Sequence, residues 1–314
     1  MAGGQERVLR RRIRSVQSTK KITKAMELIA ASQIVRSLNR MTANRAYRAG
    51  MARIVVEAAK GDPAAAAKLL GTPEEIHRVV VLAVVADRGL SGPYNSSVLR
   101  ATERLVAKLQ GDGVDVRLFT VGKKAQSYFR FRGQAVEGSF LGISERPAFS
   151  DAREVAAAVA SPFTAGDVDQ VLLVSTRYRS AGSQVAEVHQ LLPLPDPSEE
   201  AAGEGAEASQ PSQSAQSAQA EGGGGYTEFE PDVETLLAEL APKAVESEIF
   251  TAMLEGAASF FTAQQRAMAA ASDNADELIR TLSRIMNRAR QDAITTEIME
   301  IVGGAEALRQ SKGA

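Results

Sequence analysis

The loop Ala86-Asp87-Arg88-Gly89-Leu90-Ser91-Gly92-Pro93-Tyr94-Asn95 is the stretch of this chain best equipped for chemistry, and it directly follows an apolar run at 79–85. A glycine-rich turn after the first strand of an α/β domain aims backbone N–H groups at anions, so the chemistry suggested is phosphate binding. The chain contains neither G-x-G-x-x-G nor G-x-x-x-x-G-K-[ST]. A nucleophile elbow, G-x-S-x-G, fails as well, because Pro93 stands where its second glycine is required. The favoured reading is a tight turn with Asp87 capping it locally. His77 and His189 are the only two histidines. They are far apart in sequence, and each is expected at the surface or at a strand end. Cysteine is absent, which excludes disulfides, cysteine-ligated metals and thiol catalysis. Without cysteine a zinc site is poorly supplied. No pair of carboxylates stands out for acid–base work. No metal and no cofactor is expected.

The elements around that loop have two different periods. Between 79 and 191 strand-like and helix-like stretches alternate. Strands are predicted at 79–85, 114–121, 171–176 and 184–191, with helices at 96–110, 123–132 and 152–160. That order defines an α/β domain with a largely parallel sheet, Rossmann-like, over 76–194. The ends of the chain are helical instead. Residues 5–58 keep Leu9, Ile13, Val16, Ile22, Met26, Ile29, Ile34, Leu38 and Met41 on one broad face. Downstream of Pro242, Leu278, Leu282, Ile285, Ala289, Ile294, Ile298, Ile301, Ala305 and Leu308 form an apolar stripe. Pro231 and Asp232 mark a helix start, and Pro242 is expected to kink or restart that helix. A helix of roughly 65 residues is on the order of 100 Å long and needs a partner along its side. Pairing the two ends satisfies both stripes. The fold class expected is therefore a long antiparallel coiled coil of the N-terminal helix (1–60) and the C-terminal helix (231–314), with the α/β domain between them.

Charge is close to balanced in total but uneven in place. Residues 1–53 hold thirteen Lys and Arg against two acids, and residues 196–230 hold eight acids and no base. The segment 195–230 is low in complexity and is expected to be disordered. It reads as a passive spacer in preference to a regulatory arm. The basic N-terminal face fits a nucleic-acid ligand, a solvated helix face or a dock for acidic protein loops, and charge counting does not separate the three. No apolar run is long enough to span a bilayer. An Arg-rich start raises a transit peptide, but the helical pattern runs through it with no small-residue cleavage site. A soluble protein of a reducing compartment is expected.

Local sequence separates what charge does not. Residues 16–32, Val16-Gln17-Ser18-Thr19-Lys20-Lys21-Ile22-Thr23-Lys24-Ala25-Met26-Glu27-Leu28-Ile29-Ala30-Ala31-Ser32, resemble the opening helix of the γ subunit of F-type ATP synthases, with its K-I-T-K-A-M and A-A-S hallmarks. Three further stretches agree in order. Asp87-Arg88-Gly89-Leu90-Ser91-Gly92-Pro93-Tyr94-Asn95 resembles the family's D-R-G-L-C-G-G-x-N loop. Tyr226-Thr227-Glu228-Phe229-Glu230-Pro231-Asp232 resembles its Y-x-x-x-E-P-D entry to the last helix. Residues 290–305, from Arg290-Gln291 through Ile294-Thr295 to Gly303-Gly304-Ala305, resemble its R-Q-x-x-I-T-x-E-x-x-E-I-V-G-G-A terminus.

The resemblance implies a rotor that is not itself catalytic. The terminal helices would form the central stalk inside a hexamer of α and β subunits. The α/β domain would be a foot beside the ε subunit and the membrane c-ring. It implies subunit contacts at Lys20, Lys21, Lys24 and Met26, at Arg290, Gln291 and Thr295 against a catalytic-subunit loop, and at Tyr226 near the c-ring. It implies no nucleic-acid partner, and a peripheral position on the cytoplasmic face of a bacterial plasma membrane. A basic coiled-coil nucleic-acid-binding or scaffold protein is the alternative. The chain departs from the family pattern at Ser91, usually Cys, at Pro93, usually Gly, and at Gln264-Gln265, where many members have Arg-Met. The acidic segment at 196–225 also exceeds the usual connection, and the regulatory cysteines of plastid members are missing.

Overall fold

The computed structural model describes residues 2–61, 75–194 and 233–312. The acidic segment, Tyr226 and the Pro231-Asp232 helix start lie outside them. The described elements are α1 (Ala2–Gly61), β1 (Arg78–Val84), α2 (Tyr94–Gly111), β2 (Asp115–Val121), α3 (Lys123–Phe131), β3 (Gly138–Phe140), α4 (Phe149–Thr164), β4 (Gln170–Tyr178), β5 (Gln184–Leu192) and α5 (Val233–Lys312). Helix α5 runs through Pro242 without ending there. The chain divides into two units, Met1–Ser32 with Gln264–Ala314, and Gln33–Ala263.

In the second unit the five strands lie in the order β3-β2-β1-β4-β5. Strand β1 pairs in parallel with β2 and β4, and β2 with β3, while β5 runs antiparallel to β4. A central strand covered on both faces can be apolar throughout, which is why Arg78–Val84 reads as a run of valines and not as an alternation. Its even residues, Val80, Leu82 and Val84, pack with α4, with Val55 of α1 and with Val245, Ile249 and Met253 of α5. Its odd residues, Val79, Val81 and Ala83, pack with Val98 and Val106 of α2 and with Ala125 and Phe129 of α3. The three-residue β3 is an element that the sequence reading does not contain. It is too short for a period of two to register.

Helix α5 contributes to this unit as a core element. Every residue from 251 to 263 except the half-buried Glu255 is withdrawn from solvent, with Ala258 and Ser259 fully buried. A helix covered on all sides is largely apolar all round, and the polar residues it carries here, Thr251, Ser259 and Thr262, are buried with the rest. In this part α5 still runs antiparallel beside α1, through Asn44–Thr251 and Arg48–Glu248, and the sheet domain covers its other sides.

The first unit is a pair of antiparallel helices. Lys20 Nζ lies 2.6 Å from Asp276 Oδ1, and the hydroxyls of Thr23 and Ser272 are 2.8 Å apart, so residue numbers rise on one helix as they fall on the other. On α1 the seam includes Leu9, Ile13, Val16, Lys20, Thr23, Glu27 and Ala30, at alternating steps of four and three. On α5 it includes Met268, Ser272, Ala275, Ile279, Leu282, Met286, Ala289 and Ala293, with the same rhythm. A step alternating four and three is the coiled-coil repeat. It corrects both apolar stripes read from sequence. Ile22 is 58% exposed and Ile29 60%, and on α5 only Leu282 and Ala289 of the expected stripe, among its described side chains, are withdrawn from solvent. A 3.6-residue period drifts about 20° per heptad from a seam of 3.5, so a stripe picked by hydrophobicity alone slides off the contact line.

Candidate functional site

Two places collect functional side chains. The first is the helix pair. Lys20, expected to meet a neighbouring subunit, is turned to Asp276 of its own chain. Lys21 is exposed. Lys24 is exposed too, and its ammonium reaches both oxygens of Glu27 at 3.0 Å. Met26 is half-buried. Arg290, Gln291 and Thr295 are all exposed on α5. Gln291 shares an open groove with Arg280, Arg284, Arg288 and Asp292, in which the three arginines stand one helical turn apart. From 294 to 305 every residue of α5 is exposed, including Ile294, Ile298, Met299, Ile301 and Val302. Contiguous exposed apolar rows tend to mark interaction surfaces.

The second place is the loop after β1. It stands at the carboxyl end of the central strand, where the strand order reverses and where open α/β sheets hold ligands. Here the chain fills the cradle itself. Asp87 Oδ1 accepts the backbone N–H of Lys123 and of Gly142, each at 3.0 Å, and Oδ2 accepts from the Ser144 hydroxyl at 2.6 Å. Lys123 opens α3, so a side-chain carboxylate sits where a helix N-terminus would take a phosphate. Asp87 is thus not a local cap. Its partners lie 36 to 57 residues downstream. Burial opposes its charge, but the hydrogen bonds from Ser144, Gly142 and Lys123 outweigh that and hold the carboxyl below its ordinary 3.8. Gly122, at φ 93°, lets β2 turn here, and a Cβ on it would come within 2.3 Å of the Val85 carbonyl oxygen. Tyr94 closes the other side of the loop, edge-on to Phe260 of α5 at 5.8 Å.

A charged cluster that the sequence reading missed lies between α1, β4, β5 and α5 of the second unit. Arg48 Nε donates to Glu248 Oε1 at 2.7 Å, and Glu255 Oε2 accepts the Tyr178 N–H at 3.2 Å with Arg177 Nε 3.8 Å away. Arg48, Arg177, Glu248 and Glu255, with His189, line one cavity. Burial pushes the Glu255 carboxyl up despite Arg177, and burial with Arg177 pushes His189 down. His189 is therefore a half-buried residue inside β5 and not a surface or strand-end one. Arg48 and Glu248 are 200 positions apart, so only the fold brings them together. Among the described residues no group of three His, Asp or Glu is placed to hold a metal ion, and no helix is long and apolar enough to cross a membrane.

An α/β module with its ligand cradle self-filled, set in the chain between two long terminal helices, is the class that the geometry defines. The family model described as ATP synthase matches residues 5–308. The ATP synthase gamma chain of Parafrankia sp. (strain EAN1pec) is 45% identical over 309 residues, covering 97% of this chain and 98% of that one. That of Clavibacter michiganensis subsp. michiganensis is 41% identical over 316 residues, covering 99% and 100%. The chain belongs to the ATP synthase gamma chain family. Its fold is also that of a chain in the Euglena gracilis mitochondrial ATP synthase, at TM-score 0.64 and 17% identity, over 99% of this chain and 97% of that one. A chain in the central stalk and c-ring structure of the Tetrahymena thermophila mitochondrial ATP synthase superposes at TM-score 0.58 and 23% identity, over 80% and 99%. The nucleic-acid or scaffold alternative draws no support from these relatives.

Proposed function

We propose that this chain is the rotor of a bacterial proton-translocating ATP synthase, carrying torque between a membrane c-ring and a catalytic hexamer of α and β subunits, and that it catalyses nothing alone. The observation that carries the reading is identity of 45% along almost the full length of both chains with a gamma chain. The exposed apolar row of α5 supports a docking role for its last turns. The filling of the phosphate cradle by Asp87 supports a subunit without its own nucleotide site.

Arg290, Gln291 and Thr295, at the base of that row, are the residues we assign to a loop of a catalytic subunit. Lys21, Lys24 and Met26 meet the ring from α1, and Lys20 acts through its pairing with Asp276. The α/β unit would stand beside ε and on the c-ring, with Tyr226 near the c-ring. Long-range attraction between basic side chains and acidic loops suits a rod that meets three similar subunits in turn, because it falls off softly and is screened by salt. The complex would hold the chain peripherally at the cytoplasmic face of the membrane.

Co-expression with the α, β and ε subunits of the same organism tests this. The expected product is one complex that hydrolyses ATP, and replacing both Arg290 and Gln291 by Ala should slow hydrolysis severalfold without dissociating it. If the chain fails to co-purify with α and β, the rotor reading is lost.

A further inference from the structure

We propose that Glu246, Glu248, Thr251 and Glu255 are polar keys that stop α5 from turning inside the second unit, and that rotation is handed between sheet and helix at these side chains. The proposal deepens the rotor reading and rests on it.

The case starts from a mechanical weakness of apolar packing. Most of α5 between 244 and 263 lies in a sleeve of side chains from the sheet, α1 and α2. Apolar burial is non-directional, so it holds the helix in place but gives little resistance to its twisting or sliding. Hydrogen bonds and ion pairs between fixed partners are directional and break on a small displacement. Four residues of this segment make such bonds to three different elements. Glu248 takes Arg48 of α1 at 2.7 Å, and Thr251 takes the Asn44 amide of α1 at 2.8 Å. Glu255 takes the backbone N–H of Tyr178 in β4, with Arg177 Nε 3.8 Å away. Glu246 lies 3.7 Å from Arg153 of α4.

Their placement around the helix matters more than their number. At about 100° per residue, Glu248, Thr251 and Glu255 cluster on one side, and Glu246 lies about 140–200° away from them. Turning α5 in either sense therefore pulls on keys on both sides. On a third side the α5 backbone packs closely against Tyr94 of α2. Gly256 faces Tyr94, and a Cβ there would stand 3.1 Å from the Tyr94 hydroxyl. Two of the ion pairs are sheltered on both sides, Arg48 with Glu248 at 20% and 34% exposed and Arg177 with Glu255 at 23% and 13%, while Arg153, the partner of Glu246, is 66% exposed and makes that key the weakest. A surface ion pair yields readily to water and salt, and a sheltered one does not. These four are positioning residues. None needs to touch nucleotide or proton.

The experiment uses the assembled holoenzyme in inverted membrane vesicles, reading ATP hydrolysis and ATP-driven proton pumping together. The triple variant Glu248→Gln, Thr251→Val, Glu255→Gln should hydrolyse ATP as the parent does when an uncoupler removes the load. Under load, protons pumped per ATP should fall about threefold, with the deficit growing as the opposing gradient grows. The paired reversal Arg48→Glu with Glu248→Arg should couple better than either single reversal. A merely structural role moves assembly or hydrolysis at every load and not the load dependence. If the triple variant does not assemble, the isosteric Glu255→Gln alone carries the comparison. A pumping ratio equal to the parent's at every load overturns the keys. A parent complex that hydrolyses ATP and pumps no protons overturns the rotor reading instead.

Discussion

Ser144 donates its hydroxyl to Asp87 at 2.6 Å while the same oxygen accepts the Asp87 backbone N–H at 2.9 Å, so two residues 57 positions apart hold each other reciprocally. The pair fixes the loop after β1 to the segment that follows β3. Because the Asp87 carboxyl is held below its ordinary value, its contribution to stability is present above about pH 4 and is lost as pH falls through the depressed value. Asp87→Asn should cost about 1–2 kcal/mol near pH 7, allowing for partial exposure, and progressively less as pH falls through the depressed value. Thermal melts across that range measure it, and a cost independent of pH would refute the assignment.

Gly122→Ala should be among the most damaging single changes in the chain. The new methyl would meet the Val85 carbonyl at 2.3 Å, and an alanine is strained at φ 93° in any case. Backbone cannot move aside as a flexible side chain can, so a loss of about 3 kcal/mol or more is expected. Urea denaturation of the purified variant checks this, and a midpoint like the parent's would contradict it.

Two apolar truncations on α5 should behave in opposite ways. Leu282→Ala opens the seam and should cost the isolated chain about 2–3 kcal/mol, since Leu282 is 6% exposed. Ile301→Ala, at a residue 66% exposed, should leave the isolated chain within about 0.5 kcal/mol of the parent. The same Ile301→Ala should weaken recovery of the chain with α and β subunits. Equal effects of the two on the isolated chain would mean that the helix beyond the seam is covered after all.

His189 adds a second pH dependence. Burial and Arg177 lower its pKa below 6.5, so the folded state prefers the neutral ring. Stability tied to it is full above about pH 6.5 and declines as pH falls below that, because the unfolded chain binds the proton more readily. Charged or titrating neighbours face it from three elements: Arg48 from α1, Glu248 and Glu255 from α5, and Arg177 and Glu187 from the sheet. His189→Gln should flatten the stability profile between about pH 7 and pH 5, and an unchanged slope in melts over that window would rule the histidine out.

The strands and helices of the second unit were readable because their apolar runs and amphipathic faces are strong. Val79–Val84 and the Val98, Val106 pair of α2 carry the period that their burial demands. The helix seam was read less well, because much of it is not apolar. Lys20 with Asp276, and Thr23 with Ser272, occupy positions that a hydrophobicity pattern assigns to the outside. Meanwhile Ile22, Ile29 and Ile285 look like core and are exposed. Of the candidate contact residues, Lys21, Lys24, Arg290, Gln291 and Thr295 stand exposed, and Lys20 is already engaged with Asp276. The Arg48–Glu248 and Arg177–Glu255 pairs carried no local signal at all, since each joins residues that only the fold makes neighbours.

The tethered Asp87 carboxylate has a consequence for how this subunit meets the rest of the cell. A group attached to the chain competes for its cradle at an effective concentration of order millimolar or above, with no entropy of capture left to lose. Swings in free phosphate or ATP then have no vacancy to fill at the switch point. At this loop, then, the chain is insulated from the metabolites that a cradle of this kind would otherwise hold.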